Sequence, residues 1–223
     1  MTIKYRDPAY KDPIQHPRYT GIPTFMRTPY GEDWAQLDIG LVGVPFDGGV
    51  TNRTGARHGP REIRNQSSLI RKMNQSSGID PHALCAIADV GDAWVQSPFH
   101  LESGLDEIQK FFEVIHQHNV VPISAGGDHS ITLPIFRAIA ADRPVGMVHF
   151  DAHCDTGMTI LGQNSIMGRH FEGLLRRGCW ILVERYRLAS GAHSTTRMFG
   201  NSVTIPACGW CTWKNSMIWV SRQ

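Results

Sequence analysis

The chain has 223 residues, 41% of them hydrophobic and 19% charged, with a formal net charge of +2. This is a globular composition that excludes a disordered protein. A charge so small implies no nucleic acid and no acidic membrane as partner, and no apolar run approaches the roughly 18 residues of a membrane span.

Residues 1–36 are rich in Pro, Tyr and Gly and have few periodic apolar positions. They read as an irregular arm packing over the domain or a neighbouring subunit. Met1 to Tyr10 lacks an apolar segment, so no secretory signal is visible. The five cysteines are an odd, scattered set. Together these features point to a reduced, cytoplasmic setting.

Leu37 to Val44 alternates and then runs apolar, a first core strand. Pro45 to Gly49 is a turn. Arg57 to Lys72 is a helix, with Pro60 near its start. Ala83 to Val90 reads as a second strand, ending in Asp89 and Asp92 around Gly91. Leu101 to His118 carries apolar residues at helical period. Val120 to Ser124 is a strand, Ser130 to Ala141 a helix, and Val145 to Phe150 the next strand. Strands alternating with helices imply a parallel sheet with covered faces. After Gly162 the pattern fails. One short helix over Phe171 to Cys179 is the sole element suggested there.

Two segments carry chemistry. Gly126 to Ser130 reads G-G-D-H-S, and Val148 to Asp155 reads V-H-F-D-A-H-C-D. Each follows an apolar run, and strand ends are where open α/β sheets place their sites. Asp151, His153 and Asp155 alternate, so an extended backbone projects them to one side. His129 adds a fourth donor. Mixed imidazole and carboxylate donors suit manganese or zinc, and a carboxylate-rich set leans toward manganese. A single buried Asp or His after a strand is commonly a cap. Several carboxylates together are costly to bury unless a cation neutralises them, so the metal reading is preferred.

With these motifs in view, the chain resembles the ureohydrolase (arginase/agmatinase) superfamily. The carriers are Gly43 to Arg64 (G-V-P-F-D-G-G-V-T-N-R-T-G-A-R-H-G-P-R-E-I-R), Ala125 to Ser130 and Phe150 to Asp155. Pro17 to Arg27 leans toward the agmatinase and guanidino-acid branch. The match runs over about residues 15–163. The resemblance implies a three-layer αβα fold with a parallel sheet, like the arginase and deacetylase fold. It implies hydrolysis of a linear guanidino compound, agmatine or 4-guanidinobutyrate, to urea and an amine. It also implies two manganese ions per subunit, bridged by hydroxide, since metals lower the pKa of bound water. By motif, His129 and Asp155 resemble ligands of one ion and His153 a ligand of the other. Asp151 resembles a carboxylate shared between them, and Asp128 a residue that orients His129 or its loop. A homo-trimer or hexamer is implied likewise.

The family's later D-x-D ligands and later acidic residue near the substrate are not found. After Gly162 there is no aspartate, and the late carboxylates are Glu172 and Glu184. The family's H-G-x-P-F loop would fall near Gly168 to Phe171, where this chain reads M-G-R-H-F, so no role is carried to His170. Residues 164–223 hold eight Lys or Arg and two Asp or Glu, four of the six Trp and three of the five Cys. The expected division is an arm (1–36), an incomplete ureohydrolase-like domain (37–163) and a divergent, poorly ordered tail (164–223). A truncated or frameshifted product accounts for it. The alternative function is a catalytically inactive homologue acting as an interaction subunit. Missing strands would leave apolar edges exposed and the chain prone to aggregate.

Other motifs weigh less. Cys208-Gly-Trp-Cys211 lacks the strand–helix context of a redox pair, and zinc binding by Cys179, Cys208, Cys211 and His193 has irregular spacing. Cys154 is read as a core position. The polar run Thr51 to Pro60 reads equally as a capped turn before a helix and as a subunit contact or substrate entrance. His58, His116 and His118 read as surface residues. Which guanidino substrate is used depends on pocket groups. A terminal amine wants a carboxylate, and a terminal carboxylate wants Arg or polar donors.

Overall fold

A computed structural model describes residues 17–50, 52–142 and 145, together with the backbone of 147–149, 159–160, 163–164 and 181–183. Three parallel strands form its central sheet: β1 (Ile39–Val44), β2 (Ile87–Asp92) and β3 (Val121–Gly126), in the order β2-β1-β3. The helices between them are α1 (Gly59–Ser67), the short α2 (Pro81–Leu84) and α3 (Leu101–Gln117), with α4 (Thr132–Ile139) following β3. Beyond these, β4 (Met147–His149) pairs in parallel with β7 (Ile181–Val183). Between the two, β5 (Thr159–Ile160) and β6 (Gln163–Asn164) form an antiparallel pair. Among the described residues no helix is long and apolar enough to cross a membrane.

α3 shows why the apolar period matters. Leu105, Ile108, Phe112 and Ile115 line one face and are wholly buried. They pack on Val42, Val44, Ala88 and Val90 from the sheet and on Leu133 and Ala138 from α4. Each such side chain contributes about 1.5–3 kcal/mol by leaving water. The opposite sheet face is thinner. There Leu41 and Ile87 meet Phe25 from the arm, with Ile39 and Ala125 partly buried beside them.

β3 is an edge strand among the described residues, and its sequence suits that place. Val121 N donates to Asp38 O at 3.0 Å and Gly127 N to Val44 O at 3.2 Å, so the odd-numbered amides face β1. Pro122 therefore points its nitrogen to the open side, where a missing N–H breaks no ladder bond.

Several elements differ from the sequence reading. The second strand begins at Ile87, not Ala83. Asp80 accepts from His82 N at 3.0 Å and Pro81 sits in the first turn, so residues 81–84 form a capped helical turn instead. The helix expected to reach Lys72 ends at Ser67, whose hydroxyl donates to Arg64 O and accepts from Met26 N at 2.8 Å. β3 runs two residues further than Ser124, to Gly126. α4 is preceded by a 3-10 turn at His129–Ile131. β7 was not foreseen, because three apolar residues are too few to show a period. The helix suggested over Phe171 to Cys179 and the Cys208–Cys211 pair lie outside the described residues.

The described part of the arm, residues 17–36, is built into the domain through Phe25. Arg64 of α1 donates to both carboxylate oxygens of Asp89 at 2.8 and 2.9 Å, to Asp92 at 2.6 Å and to Gly91 O at 3.0 Å. Its guanidinium lies 4.1 Å from the centre of the Phe25 ring. Phe25 N donates to Asp89 at 2.9 Å. One buried carboxylate thus joins arm, helix and strand.

Candidate functional site

In the parallel pairing of β1 with β3, Val44 stands opposite Gly126. The two strands end together, and their loops leave side by side. Gly127 N donates to Val44 O at 3.2 Å and Asp128 N to Phe46 O at 2.9 Å. Gly49 N returns a bond to Asp128 Oδ2 at 2.7 Å. The approach is so close that a Cβ on Gly127 would lie 2.0 Å from Phe46 O. This is the physical reason for glycine in the G-G-D-H-S turn.

Asp128 uses both oxygens on the loops. Oδ2 takes Gly49 N, while Oδ1 accepts from Ser130 N at 2.9 Å and from the Ser130 hydroxyl. It caps the 3-10 turn that opens with His129. His129 is half-buried, and Ser130 behind it is buried. The imidazole is therefore carried on a backbone fixed from three sides, at the carboxyl end of the sheet.

Asp151, His153 and Asp155 lie outside the described residues; β4 leads toward them and ends at His149. Among the described residues no three His, Cys, Asp or Glu side chains group as a metal site. The structure thus places His129 and Asp128. His58 and His118 are exposed and His116 is half-buried, bonded to Asp142 at 2.9 Å.

One residue pair was missed. Asp47, in the turn after β1, is buried and accepts from Gly55 N at 2.7 Å, from Arg57 N at 3.3 Å and from the Arg57 guanidinium. That guanidinium, more than any other group, holds the Asp47 carboxyl down at about 2. A signal existed in the sequence: an aspartate directly after a strand, with two arginines downstream in a polar loop.

A parallel α/β domain with an imidazole and a capping carboxylate at the end of one strand is an open-sheet scaffold, in which sites lie at the carboxyl ends of the strands. The family model described as arginase family matches residues 37–185, and the chain belongs to that family. It is 53% identical over 157 residues to guanidinopropionase of Pseudomonas aeruginosa, covering 70% of this chain and 49% of that protein. It is 41% identical over 160 residues to guanidinobutyrase of the same organism, covering 70% and 50%. Among solved structures, proclavaminate amidino hydrolase from Streptomyces clavuligerus matches with a TM-score of 0.68 and 32% identity, over 75% of this chain and 58% of that one. A formiminoglutamase variant from Trypanosoma cruzi, solved with manganese, matches at 0.52 and 25% identity over 64% and 48%. The chain spans about half the length of the curated relatives it matches.

Proposed function

We propose that this chain carries the amino-terminal part of a ureohydrolase site and acts on a linear guanidino compound. The observation that carries the reading is the fixed presentation of His129 at the end of β3, in a chain 53% identical to a guanidinopropionase. That likeness favours an ω-guanidino acid such as 3-guanidinopropionate or 4-guanidinobutyrate, with agmatine as runner-up. The reaction consumes one water, breaks the bond between the guanidino carbon and the substituted nitrogen, and releases urea and a protonated amine.

The donors fit manganese. Both oxygens of Asp128 are engaged by N–H and O–H groups, so this carboxylate positions His129 and leaves the imidazole to serve as ligand. His129, Asp151, His153 and Asp155 would hold the metal, in the mapping set out above. When bound, manganese supplies Lewis-acid polarisation and lowers the pKa of water. His129 contributes a neutral nitrogen donor on a rigid turn. A homo-oligomer, trimer or hexamer, is proposed on family grounds.

The test is urea release by the full chain with added manganese, comparing the two guanidino acids with agmatine. His129→Ala, Asp151→Asn and His153→Ala each abolish it. Absence of both urea release and manganese uptake in the wild-type chain would sink the enzyme reading and leave a non-enzymatic subunit.

A further inference from the structure

The polar run Thr51 to Pro60 takes no part in the function proposed above, yet the chain is tied down at Asp47, Gly55 and Arg57. Asp47 and Arg57 close it into a loop: Asp47 Oδ2 accepts from Gly55 N and Arg57 N, and Oδ1 from the Arg57 side chain. Gly55 takes a φ of +134°, a value that favours glycine, and this turns its N–H inward to the carboxylate. Both flanks of the closed loop touch the end of β3. Before the loop, Phe46 O and Gly49 N bond to the backbone and side chain of Asp128. After it, Gly59 packs so tightly that a Cβ there would lie 2.9 Å from Gly126 O.

We infer that the Asp47–Arg57 pair is a positioning clamp, which holds the loop after β1 against the G-G-D-H-S turn and thereby sets the orientation of His129 as a metal ligand. The inference rests on the proposed function, since it takes His129 to be a ligand. The clamp lies one step behind Asp128. Asp128 fixes the turn, and the segment that Asp47 and Arg57 close supplies Gly49 N to its carboxylate, while Phe46 O, directly before that segment, accepts its N–H. Without the pair, residues 48–56 gain freedom, Gly49 N leaves Asp128, and the carboxylate turns to water or to the imidazole. The cost falls on ligand orientation. Most core packing is spared, because α3 and α4 lie on the sheet chiefly through residues outside the loop, with Phe46 at its edge the exception.

The experiment uses the full chain. Manganese affinity is measured by calorimetry for wild type, Arg57→Ala, Arg57→Lys and Arg53→Ala. Amide hydrogen exchange is read by NMR on the metal-free protein. Arg57→Ala weakens manganese binding about 10–100-fold, the range for outer-shell ligand partners, and Arg57→Lys recovers part of it. Exchange quickens at Gly49, Gly127 and Asp128 while α3 keeps its protection. Arg53, an exposed loop arginine, serves as the charge control, and its substitution changes neither readout. In a His129→Ala background Arg57→Ala has no further effect on affinity, because the clamp acts through that ligand. Unchanged affinity and exchange in Arg57→Ala, or an equal loss in Arg53→Ala, overturns the clamp while the metal reading stands. A wild-type chain that takes up no manganese overturns both, and intact exchange protection at Asp128 in that chain traces the failure to the metal reading.

Discussion

Arg64 grips both oxygens of Asp89 in a two-pronged ion pair whose carboxylate has no solvent exposure. The pair belongs to the scaffold, joining the arm, α1 and β2. Asp89 also accepts from Phe25 N and Gly91 N, so removing the arginine leaves a buried charge short of donors. Breaking a buried pair from one side costs about 3–5 kcal/mol. Arg64→Ala therefore lowers the urea midpoint of the chain by that equivalent. It also opens the arm to proteolysis near Phe25. An arm equally protected in the variant would show that other contacts hold it.

The Asp47–Arg57 pair gives the chain an acid limit. The hydrogen bond from the Arg57 guanidinium lowers the Asp47 carboxyl from 3.8 to about 2, burial opposes it, and the N–H groups of Gly55 and Arg57 lower it further. Its folded value lies below its unfolded one. The stabilisation is therefore full above the unfolded value and is lost as pH falls from about 4 toward about 2. Urea melts of wild type and Asp47→Asn across that interval should converge at the acid end. A gap of constant size would rule the carboxylate out as the cause.

Gly127 has no room for a side chain. The obstacle is the backbone oxygen of Phe46 at 2.0 Å from an added Cβ, which no rotamer change can relieve. Gly127→Ala should cost about 1–3 kcal/mol from overpacking and separate the loops after β1 and β3. The loss is read from thermal melting and from faster exchange at the Asp128 amide, which bonds to Phe46 O. Wild-type melting would mean that the loops can part at little cost.

Val121 and Ile123 are 56% and 52% exposed on a strand that is an edge among the described residues. Exposed apolar edges template association. The double substitution Val121→Thr and Ile123→Thr keeps β-branched residues, which suit a strand, and removes the apolar surface. Light scattering of purified protein should show less aggregate than wild type at equal concentration. No difference would clear this edge of blame for the aggregation expected from the sequence.

Local order was readable wherever one residue type dominated its surroundings. Leu105, Ile108, Phe112 and Ile115 announce α3 by period alone, and the structure buries all four. G-G-D-H-S announces a strand-end turn, and its glycine is explained by Phe46 O. Where two weak signals competed, the longer range decided. Asp80 and Pro81 made a helical turn that takes in Ala83 and Leu84, which the sequence reading had placed in a strand. Asp151, His153 and Asp155 keep the standing that the sequence gives them.

By itself, the sequence determined the alternation of strands and helices, the family and the residue types able to bind a cation, because these rest on period, spacing and side-chain chemistry. Tertiary structure alone decided that Asp89 is the joint of the arm, that Asp128 holds the loop after β1, and that Asp47 closes that loop on Arg57. Those contacts join residues 8 to 79 positions apart, and no local pattern records which buried carboxylate a distant N–H will find.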